Sequence, residues 1–180
     1  MSLRATILGG IWGACDPNEP KNRRTRCSLI VEQFGESPDS TAILVDTGPD
    51  LREQLLAAEV RRIDAVLYTH PHADHLHGID DLRAFAMDTR RRVEVYADAH
   101  TAERLLEAFG YCFKAPPGSS YPPILNLHRI EAGRPLAIDG PGGPLEILPF
   151  RQIHGDISSL GLRFGNLAYS CDVSDFPPES

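Results

Sequence analysis

The sequence has no long apolar run and no excess of positive charge. Lys and Arg number 18 against 25 Asp and Glu, which gives a net charge of −7. Such a mildly acidic chain lacks the basic field that attracts nucleic acid. No stretch approaches the roughly 20 apolar residues that a membrane-spanning helix needs, and the first residues lack the apolar core of a secretory signal. We therefore expect a cytoplasmic protein, and the composition argues against membrane and nucleic-acid partners.

Cysteine is scarce, with residues at positions 15, 27, 112 and 171 only. Their wide spacing excludes a disulfide framework and contains no Cys-x-x-Cys pair, so we expect reduced thiols. Cys171, beside a predicted metal ligand, could coordinate the metal, but a small buried hydrophobe is the better interpretation. At 180 residues, of which 42% are apolar, the chain can bury a core without covalent staples. We predict a single domain over residues 1–180.

Histidine is also uncommon, but four of the seven histidines lie between positions 70 and 77. His70, His72, Asp74 and His75 follow residues 63–68, an apolar run typical of a buried strand. In an extended chain, His70 and His72 can direct their rings to the same side and share one metal ion. Asp74 and His75 begin a helix and project elsewhere, which favours a second metal position. These donors favour Zn²⁺ first and Mn²⁺ or Fe²⁺ next.

Several motifs occur in a characteristic order along the chain. They are the Asp46-Thr47-Gly48 strand end, the His70-x-His72-x-Asp74-His75 cluster, His154 after a strand and Asp172 after another. This order resembles the metallo-β-lactamase superfamily. The resemblance implies an α/β fold, the αββα sandwich of that superfamily. Trp12, residues 13–17 and 22–24, and Cys27-Ser28 are similar to the phosphodiesterases of the PhnP type, which cleave a ribose cyclic phosphate.

The resemblance also implies a binuclear metal site. Its first ion would be held by three histidines, its second by an aspartate and a histidine, and one aspartate would bridge both. In this chain those residues are His70, His72 and His154, then Asp74 and His75, then Asp172. Asp74 and Asp172 would be the catalytic carboxylates. Asp46, at a strand end, could accept a hydrogen bond from a ligand histidine and set its tautomer.

The expected activity is metal-dependent hydrolysis of a small, cyclic phosphodiester by an activated water. Two divalent ions suit this chemistry because they lower the pKa of a shared water and neutralise phosphate charge. Arg23 and Arg24 lie in a cationic loop and could receive the substrate phosphate through paired guanidinium contacts. A solvated loop, with one Arg turned inward to an acidic partner, is an equally good interpretation of these cations.

Other functions stay open at this point. One alternative is another hydrolase of the same fold, acting on a lactone, a thioester, a β-lactam or an RNA phosphodiester. A relative of the cofactor-biosynthesis protein PqqB is a second alternative. A third is a non-catalytic fragment that binds metal without turnover. Turnover of bis(p-nitrophenyl) phosphate against that of a lactone separates the expected phosphodiesterase from a hydrolase that acts on a carbonyl substrate.

The chain differs from the superfamily pattern after Asp172. The family normally supplies one more histidine to the second metal, with further strands and a helix, and residues 173–180 contain none of these. We therefore expect an αββα sandwich that is incomplete at the C-terminus, with a weaker second metal site and uncovered apolar faces. A truncated chain or pairing with another chain, such as a homodimer, would account for this. The aromatic, Pro-rich segment 111–121 is predicted to be a lid or an oligomer contact.

The hydrophobic pattern predicts strands at residues 4–8, 27–34, 41–46, 63–68, 93–97, 125–130, 134–138, 145–150, 160–164 and 166–170. It predicts helices from residue 49 or 50, over residues 79–87, and from Asp98 or Thr101 to a stop at Gly110. Strands 27–34 and 41–46 are expected to pair antiparallel. His77, His100 and His128 are expected to lie outside the metal site.

Overall fold

The computed structural model describes residues 1–9, 16, 18–20 and 25–180. The strands are β1 Ser2–Gly9, β2 Ser28–Phe34, β3 Thr41–Val45, β4 Ala65–Leu67, β5 Val93–Ala97, β6 Leu125–Arg129, β7 Leu136–Ile138, β8 Leu145–His154, β9 Ile157–Phe164 and β10 Leu167–Tyr169. The helices are α1 Leu51–Ala57, α2 Ala73–Leu76, α3 Arg83–Thr89 and α4 Ala99–Phe113, with a 3₁₀ turn over Ile79–Leu82. Trp12, Arg23 and Arg24 lie outside the described residues, so the predictions made for them do too.

The first sheet has the strand order β1-β2-β3-β4-β5-β6. Strands β1 to β3 pair antiparallel, as predicted for β2 and β3, and β3 to β6 pair in parallel. Parallel strands end at a common edge, so the residues that follow β3 and β4 lie beside each other. Asp46 is the first residue after β3 and His70 is the third residue after β4, which brings two of the predicted site segments to this edge.

The two faces of the first sheet build two hydrophobic cores. Residues of one parity along the central strands, such as Leu44 and Val66, pack under the helices together with Leu105 of α4. Residues of the other parity, such as Ile43 and Leu67, pack against the second sheet. This alternation is the two-residue period of a strand buried on both faces. The helices and the two sheets therefore form three stacked layers, and the predicted α/β class is confirmed.

The second sheet is antiparallel, in the order β10-β9-β8-β7. It contacts the segment that follows β4 where the Leu160 amide of β9 donates to the Thr69 carbonyl at 2.8 Å. Residues 114–180 are all described, and they contain no helix. No helix of the described chain is long and apolar enough to cross a bilayer.

Several element boundaries differ from the predictions. The expected helix 79–87 is a 3₁₀ turn followed by α3, and His154 is the last residue of β8 instead of following a shorter strand. Gly110 does not end α4, which continues to Phe113 with a kink at Phe109. A glycine stop requires a positive φ, and Gly110 is not among the residues that adopt one. The first residues of the predicted lid segment 111–121 are therefore helical.

Candidate metal centre

The centre lies just after the end of β4, where the chain leaves the first sheet. Thr69 and His70 are fully buried, and His72 has the extended backbone that precedes α2. Pro71 between the two histidines fixes φ and stiffens this turn. A ring nitrogen of His70, Nε2, lies 3.1 Å from Nδ1 of His72. The two rings therefore converge, as the spacing of two residues predicts.

A second strand and the segment after β10 complete a first group of donors. Nε2 of His154 lies 3.3 Å from Nδ1 of His72. Oδ2 of Asp172 lies 3.7 Å from Nε2 of His70 and 3.8 Å from Nε2 of His154. Tetrahedral zinc with bonds of about 2.0–2.1 Å to nitrogen separates its ligand atoms by roughly 3.3 Å. The four donors have separations that suit one such ion.

A second group of donors shares Asp172 with the first. Nε2 of His75 lies 3.4 Å from Oδ2 of Asp172 and 3.9 Å from Oδ2 of Asp74. One donor atom from each of these three residues lies within 4.8 Å of the others. Nε2 of His75 is buried, and no described residue forms a hydrogen bond with it. A buried polar atom is rarely left unsatisfied, so this nitrogen fits a metal ligand.

Asp46 holds the opposite side of the His75 ring. Its Oδ2 lies 2.7 Å from Nδ1 of His75, and both side chains are fully buried. The Thr69 amide donates to Oδ1 of Asp46 at 2.8 Å. Asp46 has a φ of 61°, a left-handed conformation uncommon outside glycine, and its own amide donates to the Leu67 carbonyl at 2.9 Å. These contacts stabilise a strained backbone so that the carboxylate faces the ring.

The electrostatic environment of the centre favours a bound cation. Burial lowers the pKa of His70 to about 4, and the neighbouring His75 adds to this effect. Burial also disfavours charge on His75, but the hydrogen bond to Asp46 and the charges of Asp46, Asp172 and Asp74 outweigh it and raise its pKa to about 9. Carboxylates gathered in a partly buried site need compensating positive charge. A divalent ion held by these residues would supply that charge.

Two further residues of the centre, Cys171 and Thr69, were not among the predicted ligands. Cys171 is half-buried, and its sulfur lies within 4.8 Å of donor atoms of His70 and His75. Burial raises its thiol pKa, so the neutral thiol is favoured. Thr69 contacts both His70 and Asp46 through its hydroxyl. In each case the available signal was position, since each residue directly precedes a predicted ligand.

The remaining described histidines lie outside the donor groups, as expected. The His77 ring packs edge-on against Phe109, with ring centroids 5.5 Å apart. His128 contacts Glu94 and stacks on Tyr96. His100 is exposed in the first turn of α4, where Asp98 caps the helix. The structure thus brings together His70, His72, Asp74, His75, His154 and Asp172, with Asp46 behind them.

The fold and the donor set together define a class of protein. The family model described as the beta-lactamase superfamily domain matches residues 41–180. The chain therefore belongs to the metallo-β-lactamase superfamily, which confirms the predicted resemblance.

Two curated proteins are similar in sequence to this chain over part of their own length. A protein named octanoyltransferase from Porphyromonas gingivalis is 33% identical over 168 residues, which are 92% of this chain and 31% of that protein. A ribonuclease Z from Bradyrhizobium sp. (strain ORS 278) is 31% identical over 148 residues, 81% of this chain and 46% of the enzyme. The chain thus spans less than half the length of both curated relatives.

Solved structures support the same placement. A diphosphatase of the PhnP family superposes with a TM-score of 0.78 at 33% identity, covering 99% of this chain and 69% of that one. The Zn²⁺-bound PqqB from Methylobacterium extorquens superposes with a TM-score of 0.62 at 19% identity, covering 91% of this chain and 60% of PqqB. PhnP-type proteins are therefore relatives in sequence and fold, whereas PqqB shares the fold.

Proposed function

We propose that this chain forms the binuclear metal centre of a hydrolase that cleaves a small phosphodiester, the cyclic phosphodiester of a ribose being the leading candidate. The observation that carries the proposal is the position of Asp172. Its carboxylate lies within 3.8 Å of donor nitrogens from His70 and His154 in one group, and 3.4 Å from His75 in the other. A shared carboxylate between two donor groups is the arrangement of a bridging ligand.

Each side chain has a proposed role. His70, His72 and His154 would hold the first ion, Asp74 and His75 would hold the second, and Asp172 would contribute to both. The donor chemistry favours Zn²⁺, with Mn²⁺ or Fe²⁺ as alternatives. Divalent ions held by these residues would supply an acidified water and positive charge to neutralise the phosphate oxygens. Asp46 orients His75 from behind, as the hydrogen-bonded partners of ligand histidines generally do.

The chain's own carboxylates then act on the reacting groups. Asp74 is about one-third exposed and can accept a hydrogen bond from the attacking water. Asp172 is more buried, and its backbone carbonyl accepts from the Ser159 hydroxyl at 3.0 Å, which fixes the segment after β10. The water oxygen bonds to phosphorus and the water loses a proton. One P–O ester bond breaks, and the departing alkoxide takes up a proton, which balances the one lost by the water. Arg23 and Arg24, outside the described residues, remain our candidates for contacting the substrate phosphate.

Metal stoichiometry and turnover test the proposal together. We expect two Zn²⁺ per wild-type chain by elemental analysis, with hydrolysis of bis(p-nitrophenyl) phosphate. His70→Ala and Asp172→Ala should each lose metal and lower turnover by more than about 100-fold, because each removes a ligand of the proposed centre. His128→Ala is the matched control, since His128 lies on β6 and contacts Glu94 instead of the donor groups. A His70→Ala protein with full metal content and full turnover would contradict the assignment.

RNA is a second candidate substrate, favoured by the 31% identity to a ribonuclease Z. The same centre would serve, since the reacting bond is again a phosphodiester. Turnover of a ribose cyclic phosphate and of a single-stranded RNA oligonucleotide, compared for one metal-loaded preparation, separates the two. Cleavage of the RNA alone would reject the small-molecule substrate.

A further inference from the structure

A continuous set of buried hydrogen bonds runs behind the metal centre. Oγ1 of Thr69 lies 3.0 Å from Nδ1 of His70 and 2.7 Å from Oδ2 of Asp46. The same Asp46 oxygen lies 2.7 Å from Nδ1 of His75. All four side chains are fully buried. The Thr69 hydroxyl therefore lies between a histidine of the first donor group and the carboxylate that orients a histidine of the second.

The number of protons available in these hydrogen bonds determines which group donates in each. An ionised carboxylate can only accept, so the single hydroxyl proton of Thr69 goes to Asp46. The hydroxyl oxygen is then free to accept, and Nδ1–H of His70 donates to it. Nδ1–H of His75 donates to Asp46 in the same way. With its Nδ1 carrying the proton, the neutral His70 ring presents the lone pair of Nε2 to the first donor group.

We propose that Thr69 is a positioning residue for His70. Its hydroxyl selects the Nδ1–H tautomer of that ring, as Asp46 does for His75, and its hydroxyl and amide together orient both oxygens of Asp46. Thr69 thus supports a ligand of each proposed metal position without contacting either ion. The metal-binding part of this inference rests on the proposed function, whereas the tautomer does not.

The tautomer can be measured in metal-free protein. In protein labelled with ¹⁵N-histidine at pH 7, long-range ¹H–¹⁵N correlation spectra distinguish Nδ1–H from Nε2–H rings, and His70→Gln identifies the His70 signals. We expect the Nδ1–H form of His70 in wild type and in Thr69→Ser, which keeps a hydroxyl. Thr69→Val has nearly the same shape without the hydroxyl, and it should move His70 towards the Nε2–H form. An unchanged His70 tautomer in Thr69→Val would overturn the inference.

Zinc affinity provides the second readout. In competition with a chromophoric chelator, Thr69→Val should bind the first Zn²⁺ about 10-fold more weakly than wild type, the loss typical of partners behind ligand histidines. Thr69→Ser should stay within about threefold of wild type. Wild-type affinity in Thr69→Val would overturn the positioning role. If no variant, including wild type, binds zinc while the tautomer pattern holds, the proposed function fails and the hydrogen-bond assignment stands.

Discussion

Two glycines allow the ligand-bearing turns to approach each other closely. A Cβ atom added to Gly78 would lie 2.1 Å from the carbonyl oxygen of Gly48, and one added to Gly48 would lie 2.5 Å from that of Asp74. The approach is fixed by backbone bonds of 2.7 Å from the Thr47 amide to the His75 carbonyl and from the Gly78 amide to the Thr47 carbonyl. The turn that carries Asp46 is therefore held directly against α2.

We predict that Gly78→Ala destabilises the protein by about 2–3 kcal/mol, because the obstructing atom belongs to the backbone and cannot rotate away. The free energy of unfolding in urea measures this effect. Gly110→Ala is the control, since no atom of the described residues lies within 4 Å of a Cβ atom at that helical position. Alanine there should cost nothing and can stabilise the helix by up to about 1 kcal/mol. Equal losses in the two variants would argue against the close approach.

The two helices that begin after an aspartate use it differently. In α4, Oδ1 of Asp98 accepts from the Thr101 amide at 2.8 Å and caps the helix. Asp50 precedes α1 but makes no cap. It accepts instead from the Arg26 amide at 2.7 Å, which attaches the chain before β2 to α1. The same residue type thus stabilises a helix in one place and a tertiary contact in the other.

We predict that Asp98→Ala lowers the free energy of unfolding by about 1 kcal/mol, the usual loss when a capping side chain is removed. Urea unfolding followed by far-ultraviolet circular dichroism provides the measurement. Asp98→Ser is the matched control, because its hydroxyl can still accept from the Thr101 amide. A Ser variant as unstable as the Ala variant would show that the cap is not the source of the loss.

At the scale of the whole molecule, the packing of the two sheets positions the donor groups. Phe164 of β9 is fully buried in the core between the sheets, with Leu29, Leu67 and Leu145 in the same cluster. The first sheet and its turns carry His70, His72, Asp74 and His75. The second sheet carries His154, and Asp172 follows its last strand. Loosening this core would therefore separate ligands as well as lower stability.

We predict that Phe164→Ala destabilises the protein by about 3–5 kcal/mol, the range for deleting a buried phenyl ring. Phe176→Ala is the control, because Phe176 is 50% exposed and its ring lies beside that of Phe150, with centroids 6.4 Å apart. That change should cost less than about 1.5 kcal/mol. Thermal or urea unfolding of the metal-free proteins compares them. Similar costs for the two phenylalanines would contradict the central role of the inter-sheet core.

The sequence by itself determined the local part of the centre. The alternation of the central strands and the spacing of His70 and His72 are short-range properties, because a strand repeats every two residues. The turn after β3 and the start of α2 also follow from such local patterns. Where a helix ends can depend on distant contacts, which local patterns do not contain. Gly110 does not stop α4, whose last turn is instead held by Tyr111 and Cys112 against Asp80.

Only the tertiary structure decided how the separate segments combine. His154 and Asp172 lie 84 and 102 positions after His70, and they reach it because the two sheets stack and β9 bonds to Thr69. The left-handed backbone of Asp46 and the bonds of the Thr69 hydroxyl also depend on neighbours from other strands. Periodicity describes a segment and its faces, whereas a donor group of four residues needs the distances between segments, which packing alone sets.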